Sequence, residues 1–249
     1  MASALSKAFS VIWLLRRSPE PLTLSEIARS VSIAQSTAHS ILKELLEQGA
    51  IVQDDNRRYS MGPAMFYLGA AYVKQVPVYS RIWDSLVDVA DDVRLTAVLA
   101  VPWREHQLIL DVHQNRQPGV DVAFGGRVPL DAGAWGKAYY AWSTDRPTSL
   151  TQYTPRTEVV MEAYERQLEE ARARGYATDL EEFLPGAGAV AGAVTNGKQT
   201  VEAIVALVGG VAVTTEANLV EAGQRLAGLV ANVSYALGDD RRLKVIGQE

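Results

Sequence analysis

The sequence of 249 residues predicts an α+β protein in two parts: a winged helix-turn-helix, then a larger unit built on a mainly antiparallel sheet. Three observations carry this. Two hydroxyl-to-acid or hydroxyl-to-amide box patterns, each opening a helix, follow one another within a dozen residues near the N-terminus. Short apolar runs bounded by turn residues recur in the second part, two of them around Asn196-Gly197, a strong hairpin signal. Helical patterns flank those runs without regular strand–helix alternation.

Bulk properties narrow the class. Apolar residues make up 48% and charged residues 21%, a globular composition, and no apolar run approaches the ~18 residues of a membrane span. Arg16-Arg17 follows the first apolar run, the reverse of a secretory signal, so a cytoplasmic location is the simplest expectation. With no cysteine there is no disulfide, no Cys-ligated zinc and no thiol nucleophile. The net charge is −5, but residues 1–65 carry seven Lys/Arg against six Asp/Glu, so that end can meet an anionic partner.

In the first part, LSKAFSVIWLLRR reads as a helix with Leu5, Phe9, Ile12 and Trp13 on one side, ended by Ser18-Pro19-Glu20-Pro21. Thr23-Leu-Ser-Glu26 is a capping box that opens a short helix through Ile27, Ala28 and Val31, and Ser32-Ile-Ala-Gln35 reads as a second box. The helix that follows places Ala38, Ile41, Leu42 and Leu45 inward, and Gly49 stands where a left-handed cap ends it. Ile51-Val52, a turn at Asp54-Asp55-Asn56 and Arg58-Tyr59-Ser60 form the hairpin. Three helices and such a hairpin make a winged helix-turn-helix, whose third helix offers its polar side to the DNA major groove.

That polar side carries Gln35, Ser36, Thr37, His39, Ser40 and Lys43, with no carboxylate in its middle. Hydroxyls and the imidazole suit phosphates or base edges, and Lys43 suits a phosphate or a guanine. Arg57 and Arg58 at the wing tip are placed to neutralise phosphates. The same pattern fits a solvated helix face beside a routine hairpin.

The stretch LTLSEIARSVSIAQSTAHSILKELLEQGAIVQDDNRRYSMGPAMFYLG resembles the N-terminal domain of the IclR-type bacterial transcription regulators. One departure concerns Ser40, where many relatives carry Arg; without a guanidinium there, the operator is expected to differ from a relative's. Domain boundaries follow: 1–63 for the DNA-binding domain, 64–79 for an apolar helix that takes part in dimer contacts in that family, and 80–249 for the second domain.

From residue 80 the expected elements are a helix over 80–94, strands 96–101 and 106–113 joined by a turn around Pro102, a strand at 119–124, a helix over 157–174 stopped at Gly175, the Asn196-Gly197 hairpin, and a last helix over 216–237. GGRVPLDAGAWGKAYYAW, RARGYATDLEEFLPG and the VAGAV…IVALVG hairpin resemble the same family, which implies a GAF-like effector-binding domain.

Enzyme motifs fail here. Gly133-Ala-Trp-Gly136-Lys137 lacks the earlier glycine and the following hydroxyl of a phosphate loop, since Asp131 and Ala138 stand there. Gly186-Ala-Gly188-Ala-Val-Ala191 spells a dinucleotide fingerprint but runs into the Asn-Gly turn, with no room for the helix it needs. The three histidines have no metal spacing, and no nucleophile elbow occurs. Neither catalysis, cofactor nor metal is expected.

The resemblance places the effector site at Ala134, Trp135, Asp179, Ala189, Ala206 and Val208. Ala and Val stand where relatives that bind small oxo-acids often have Cys or Ser, so a larger, flatter, aromatic or hydrophobic organic acid is expected. The alternative is that Trp135 plugs the pocket. The expected protein is a double-stranded-DNA-binding regulator, repressor or activator, a homodimer or dimer of dimers, with effector-modulated operator binding. The alternatives are a constitutive DNA-binding dimer with a vestigial pocket, or a small-molecule sensor or enzyme with a non-functional helix-turn-helix.

Overall fold

The computed structural model describes residues 3–115, 120–198 and 200–239, and the chain divides into two compact units, 1–75 and 76–249. Among the described residues, no helix is long and apolar enough to cross a membrane.

The first unit runs α1 (Ala4–Arg17), β1 (Leu22–Thr23), α2 (Leu24–Ser30), α3 (Gln35–Glu47), β2 (Ile51–Gln53), β3 (Arg58–Met61) and α4 (Pro63–Gln75). Strands pair antiparallel in the order β1-β3-β2, so the wing is a three-stranded sheet with Leu22 opposite Tyr59 and Val52 opposite Ser60. Its core joins Val11 and Leu15 of α1 to Ile27, Ile41, Leu42, Ile51 and Tyr59. The side of α1 bearing Leu5, Phe9 and Trp13 faces outward, with Leu5 69% exposed. No residue of α4 is buried within the chain, and Phe66, Tyr67, Leu68 and Tyr72 are exposed.

The first capping box forms in full: Thr23 Oγ1 accepts from the Glu26 amide at 3.3 Å, and Glu26 Oε2 accepts from the Thr23 amide at 2.7 Å. The second does not. α3 starts from Ala34, with no side-chain cap, because Ser32 (φ +54°) supplies the left-handed step that reverses the chain between the helices. Its Ile33 amide then donates to the Ala28 carbonyl at 3.0 Å, and Gln35 reaches back to donate to Ser25 Oγ at 3.2 Å. Gly49 (φ +66°) follows the end of α3 as its left-handed residue.

The second unit runs α5 (Tyr79–Val93), β4 (Thr96–Trp103), β5 (His106–His113), β6 (Arg127–Pro129), α6 (Gly133–Trp142), α7 (Met161–Arg174), β7 (Ala177–Leu180), β8 (Ala187–Thr195), β9 (Val201–Gly210) and α8 (Glu216–Ala236). The six strands are antiparallel in the order β6-β5-β4-β9-β8-β7. Alternation along β8 shows why its nine residues are all buried. Ala189, Ala191 and Ala193 join the core under α6 and α7, while Gly192 lets α8 approach so closely that a Cβ there would lie 2.9 Å from Val230 Cγ2.

Three further sequence expectations are corrected. The turn between β4 and β5 is at Arg104-Glu105, and Pro102 lies within β4, where it removes no ladder bond because pairing with β9 ends at Ala100. Residues 120–124 form no strand; the edge strand is β6, three residues further on, and Gly119 lies outside the described residues. α7 begins at Met161 and not at 157, although it ends at Gly175 (φ +85°) as expected.

Candidate functional site

On α3, Ala38, Ile41 and Leu42 anchor the helix and leave Gln35, Ser36, His39, Ser40 and Lys43 exposed, with Thr37 half-buried. The resting bonds of this face are weak. Ser40 Oγ donates to the Ser36 carbonyl at 3.2 Å within the helix, and Lys43 Nζ lies 3.8 Å from Glu47 Oε1, an exposed pair worth little. Arg57 sits in the hairpin turn with φ +58° and is exposed.

Arg58 is placed differently from its neighbour. Once the chain enters β3 its side chain, still 43% exposed, reaches across to α2, donating to the Pro21 carbonyl at 3.0 Å and lying 3.4 Å from Glu26 Oε2. It therefore braces the α2 capping box instead of standing at the wing tip. Hydrogen bonds from the Thr23 amide and hydroxyl, with Arg58 adding to them, hold the Glu26 carboxyl below the usual carboxylate range.

The second unit holds a cavity of about 210 Å³. Trp135 on α6, Asp179 on β7, Ala189 on β8 and Val208 on β9 line it, as do Ile109, Arg127 and Phe183. Trp135 walls the cavity without filling it. Ala134 and Ala206 do not reach it: both are fully buried in the core between α6 and the sheet. Arg127 comes from β6 and Asp179 from β7, the two edge strands, so the sheet must curl for both to reach one cavity.

Asp179 is the polar group of the closed end. It is 5% exposed; Oδ1 accepts from the Glu182 amide at 2.7 Å, and burial pushes its pKa up to about 6. The Glu182 amide, Lys137 and the Phe183 amide pull against that rise, while the Glu182 carboxylate adds to it. Lys137 is held inside the unit: Nζ donates to the Thr178 carbonyl at 2.9 Å and to Glu182 Oε1 at 2.7 Å. The phosphate-loop look-alike is thus the first turn of a buried helix, and its lysine is an internal strut. Likewise, the dinucleotide look-alike lies mostly within β8.

Arg127 and Phe183 had no signal in the sequence as cavity residues, because nothing local marks a residue that sheet curvature brings to a cavity, and the apolar pattern of 120–123 reads as a strand. The period-two valines Val120 and Val122 are apolar for a reason other than strand pairing: both line the cavity.

A winged helix-turn-helix followed by a sheet domain with a partly open cavity is the arrangement of a DNA-binding transcription regulator with an effector domain. Residues 4–55 match the IclR helix-turn-helix domain and residues 70–235 the bacterial transcriptional regulator IclR C-terminal domain, so the chain belongs to the IclR family. It is 29% identical over 220 residues to the glycerol operon regulatory protein of Streptomyces coelicolor, covering 84% of this chain and 85% of that protein. The solved IclR transcriptional regulator of Alicyclobacillus acidocaldarius superposes with a TM-score of 0.81 at 28% identity, over 96% of this chain and 99% of that one. An IclR homologue from Microbacterium hydrocarbonoxydans, solved in complex with 4-hydroxybenzoate, shares the fold with a TM-score of 0.75 at 21% identity, over 92% of this chain and all of that one.

Proposed function

We infer that operator binding by this regulator responds to a single-ring, mainly apolar organic acid held in the cavity of the second unit. The observation that carries this is the cavity itself: about 210 Å³, walled by Trp135, Phe183, Ile109, Ala189 and Val208, with Asp179 at its closed end. An apolar cavity of ~150 Å³ suffices for benzene, so this volume accommodates a substituted single ring. The 4-hydroxybenzoate bound by the Microbacterium homologue is a molecule of that class.

On the DNA side, Ser36, Thr37, His39, Ser40 and Lys43 of α3 read the major groove, with Gln35 at its start, and Arg57 neutralises a phosphate from the wing. Arg58 supports the fold of the reading head. A second copy of the chain covers the outward apolar residues of α1 and α4, Leu5 and Phe9 with Phe66, Tyr67, Leu68 and Tyr72. Such pairing sets two reading heads on one palindromic site, and the effector acts by binding one spacing of the heads better than the other.

Fluorescence anisotropy against DNA from upstream of the protein's own gene, at two salt concentrations and with a panel of benzoic acids, tests this. Specific binding that one acid changes supports it. Specific binding indifferent to every acid favours a constitutive DNA-binding dimer, and turnover of an acid without operator binding favours an enzyme.

A further inference from the structure

Among the described residues, the cavity wall has one cationic side chain, Arg127. It stands on the exposed end of β6, and its guanidinium makes no hydrogen bond or ion pair with any described residue. Asp121, on the same side of the cavity, is held by Gln114 Nε2 at 3.3 Å and forms no ion pair with it. Lys137, the other cation near the site, is locked onto Glu182 and Thr178. At the opposite edge of the sheet, the carboxylate of Asp179 lines the cavity: Oδ1 accepts from the Glu182 amide, the Phe183 amide also supports the charge, and Oδ2 packs against Gly133 at the start of α6. The two ends of the cavity therefore carry opposite demands. An anion placed against Asp179 meets a buried like charge, whereas an anion placed at Arg127 meets an unengaged guanidinium. A ring hydroxyl or amine at the closed end can donate to a remaining lone pair of the Asp179 carboxylate, an acceptor-only group in the cavity wall.

We propose that the effector binds in one orientation, its carboxylate on Arg127 at the mouth and a hydrogen-bond donor across the ring on Asp179, so that Arg127 selects acids and Asp179 selects para-hydroxy or para-amino rings. The proposal rests on the reading of the cavity as a single-ring acid site, and extends it by naming what each end recognises.

Titration calorimetry on the full chain at neutral pH, where Asp179 is ionised, tests it with 4-hydroxybenzoate, 4-aminobenzoate, benzoate and phenol. The unmodified protein is expected to bind 4-hydroxybenzoate about tenfold or more tighter than either benzoate or phenol, since a hydrogen bond to a charged group is worth about 1.5–3 kcal/mol. Arg127→Gln is expected to erase the preference over phenol and keep that over benzoate; Arg127→Lys is expected to restore part of it. Asp179→Asn, which keeps an acceptor and loses the charge, is expected to reduce the preference over benzoate, and Asp179→Ala to erase it. Ring acids that bind equally with and without the para group, or an Arg127→Gln protein with undiminished acid preference, overturn this assignment while leaving the cavity a ring-acid site. Failure of every ring acid to bind the unmodified protein overturns the underlying reading, and this one with it.

Discussion

Gly133 and Asp179 are fitted to one another: a Cβ at Gly133 would lie 2.8 Å from Asp179 Cγ and 3.1 Å from Phe183 Cβ. Gly133 also holds φ +46°, a left-handed conformation that side chains resist. The first residue of α6 is therefore a positioning residue for the carboxylate at the end of the cavity. Gly133→Ala is expected to cost about 1–3 kcal/mol in urea denaturation. Much of the clash part of that cost should return in Gly133→Ala/Asp179→Ala, a double-mutant coupling that a purely backbone effect would not show. Operator affinity of the single variant should stand while its response to ring acids disappears.

The same carboxyl makes a pH signature. Burial raises Asp179 to about 6 from an unfolded value near 3.8, so between those pH values the folded chain holds a proton that the unfolded chain has released. Stability contributed at this site is present at the acid end and falls as pH rises through 6. The whole change is on the order of 2–3 kcal/mol. Asp179→Asn cannot lose that proton. Its stability relative to the unmodified protein is expected to rise between pH 4 and 7, measured as the difference between their urea midpoints; a constant difference would place the Asp179 pKa near its ordinary value.

Lys137 supports the site from within α6. Its side chain is only 6% exposed and its ammonium bridges Glu182 and the Thr178 carbonyl, which tethers the segment carrying Asp179. Lys137→Met leaves the Glu182 carboxylate in a largely dry setting beside Asp179, and a loss of about 3–5 kcal/mol is expected. Lys137→Met/Glu182→Leu should recover most of it, because removing both charges removes the uncompensated one. No recovery in chemical denaturation would mean that Lys137 stabilises through its hydrocarbon stem alone.

Which parts were readable from the sequence follows from where their causes lie. The Thr23–Glu26 box is a local arrangement of two side chains on one turn, and its pattern was enough. Ser32…Gln35 has the same local pattern but sits in the reversal between two helices, where Ser32 must be left-handed, and the tertiary turn overrides the cap. α1 has apolar residues on two sides, Leu5/Phe9/Trp13 and Val11/Leu15, and periodicity alone does not say which side the unit buries. In the cavity, Trp135 and Asp179 were found by resemblance, whereas Ala134 and Ala206 lie one layer deeper, in the core. Arg127 and Phe183 were invisible because their place depends on the curl that brings β6 and β7 to one cavity.

The neighbouring arginines of the wing separate a DNA contact from a fold contact. Arg57 is exposed in the turn, so Arg57→Ala is expected to leave thermal stability unchanged and lower the slope of log K against log salt by about 0.9, the share of one phosphate contact. Arg58 is hydrogen-bonded to the Pro21 carbonyl and lies against Glu26, so Arg58→Ala is expected to lower stability by about 0.5–1.5 kcal/mol. Its salt slope should stay that of the unmodified protein once DNA binding is measured well below its melting transition. Lys43→Ala, on the exposed face of α3, should behave as Arg57→Ala does. A salt slope that moves with Arg58 and not with Arg57 would reverse the assignment and put the Arg58 guanidinium on the DNA.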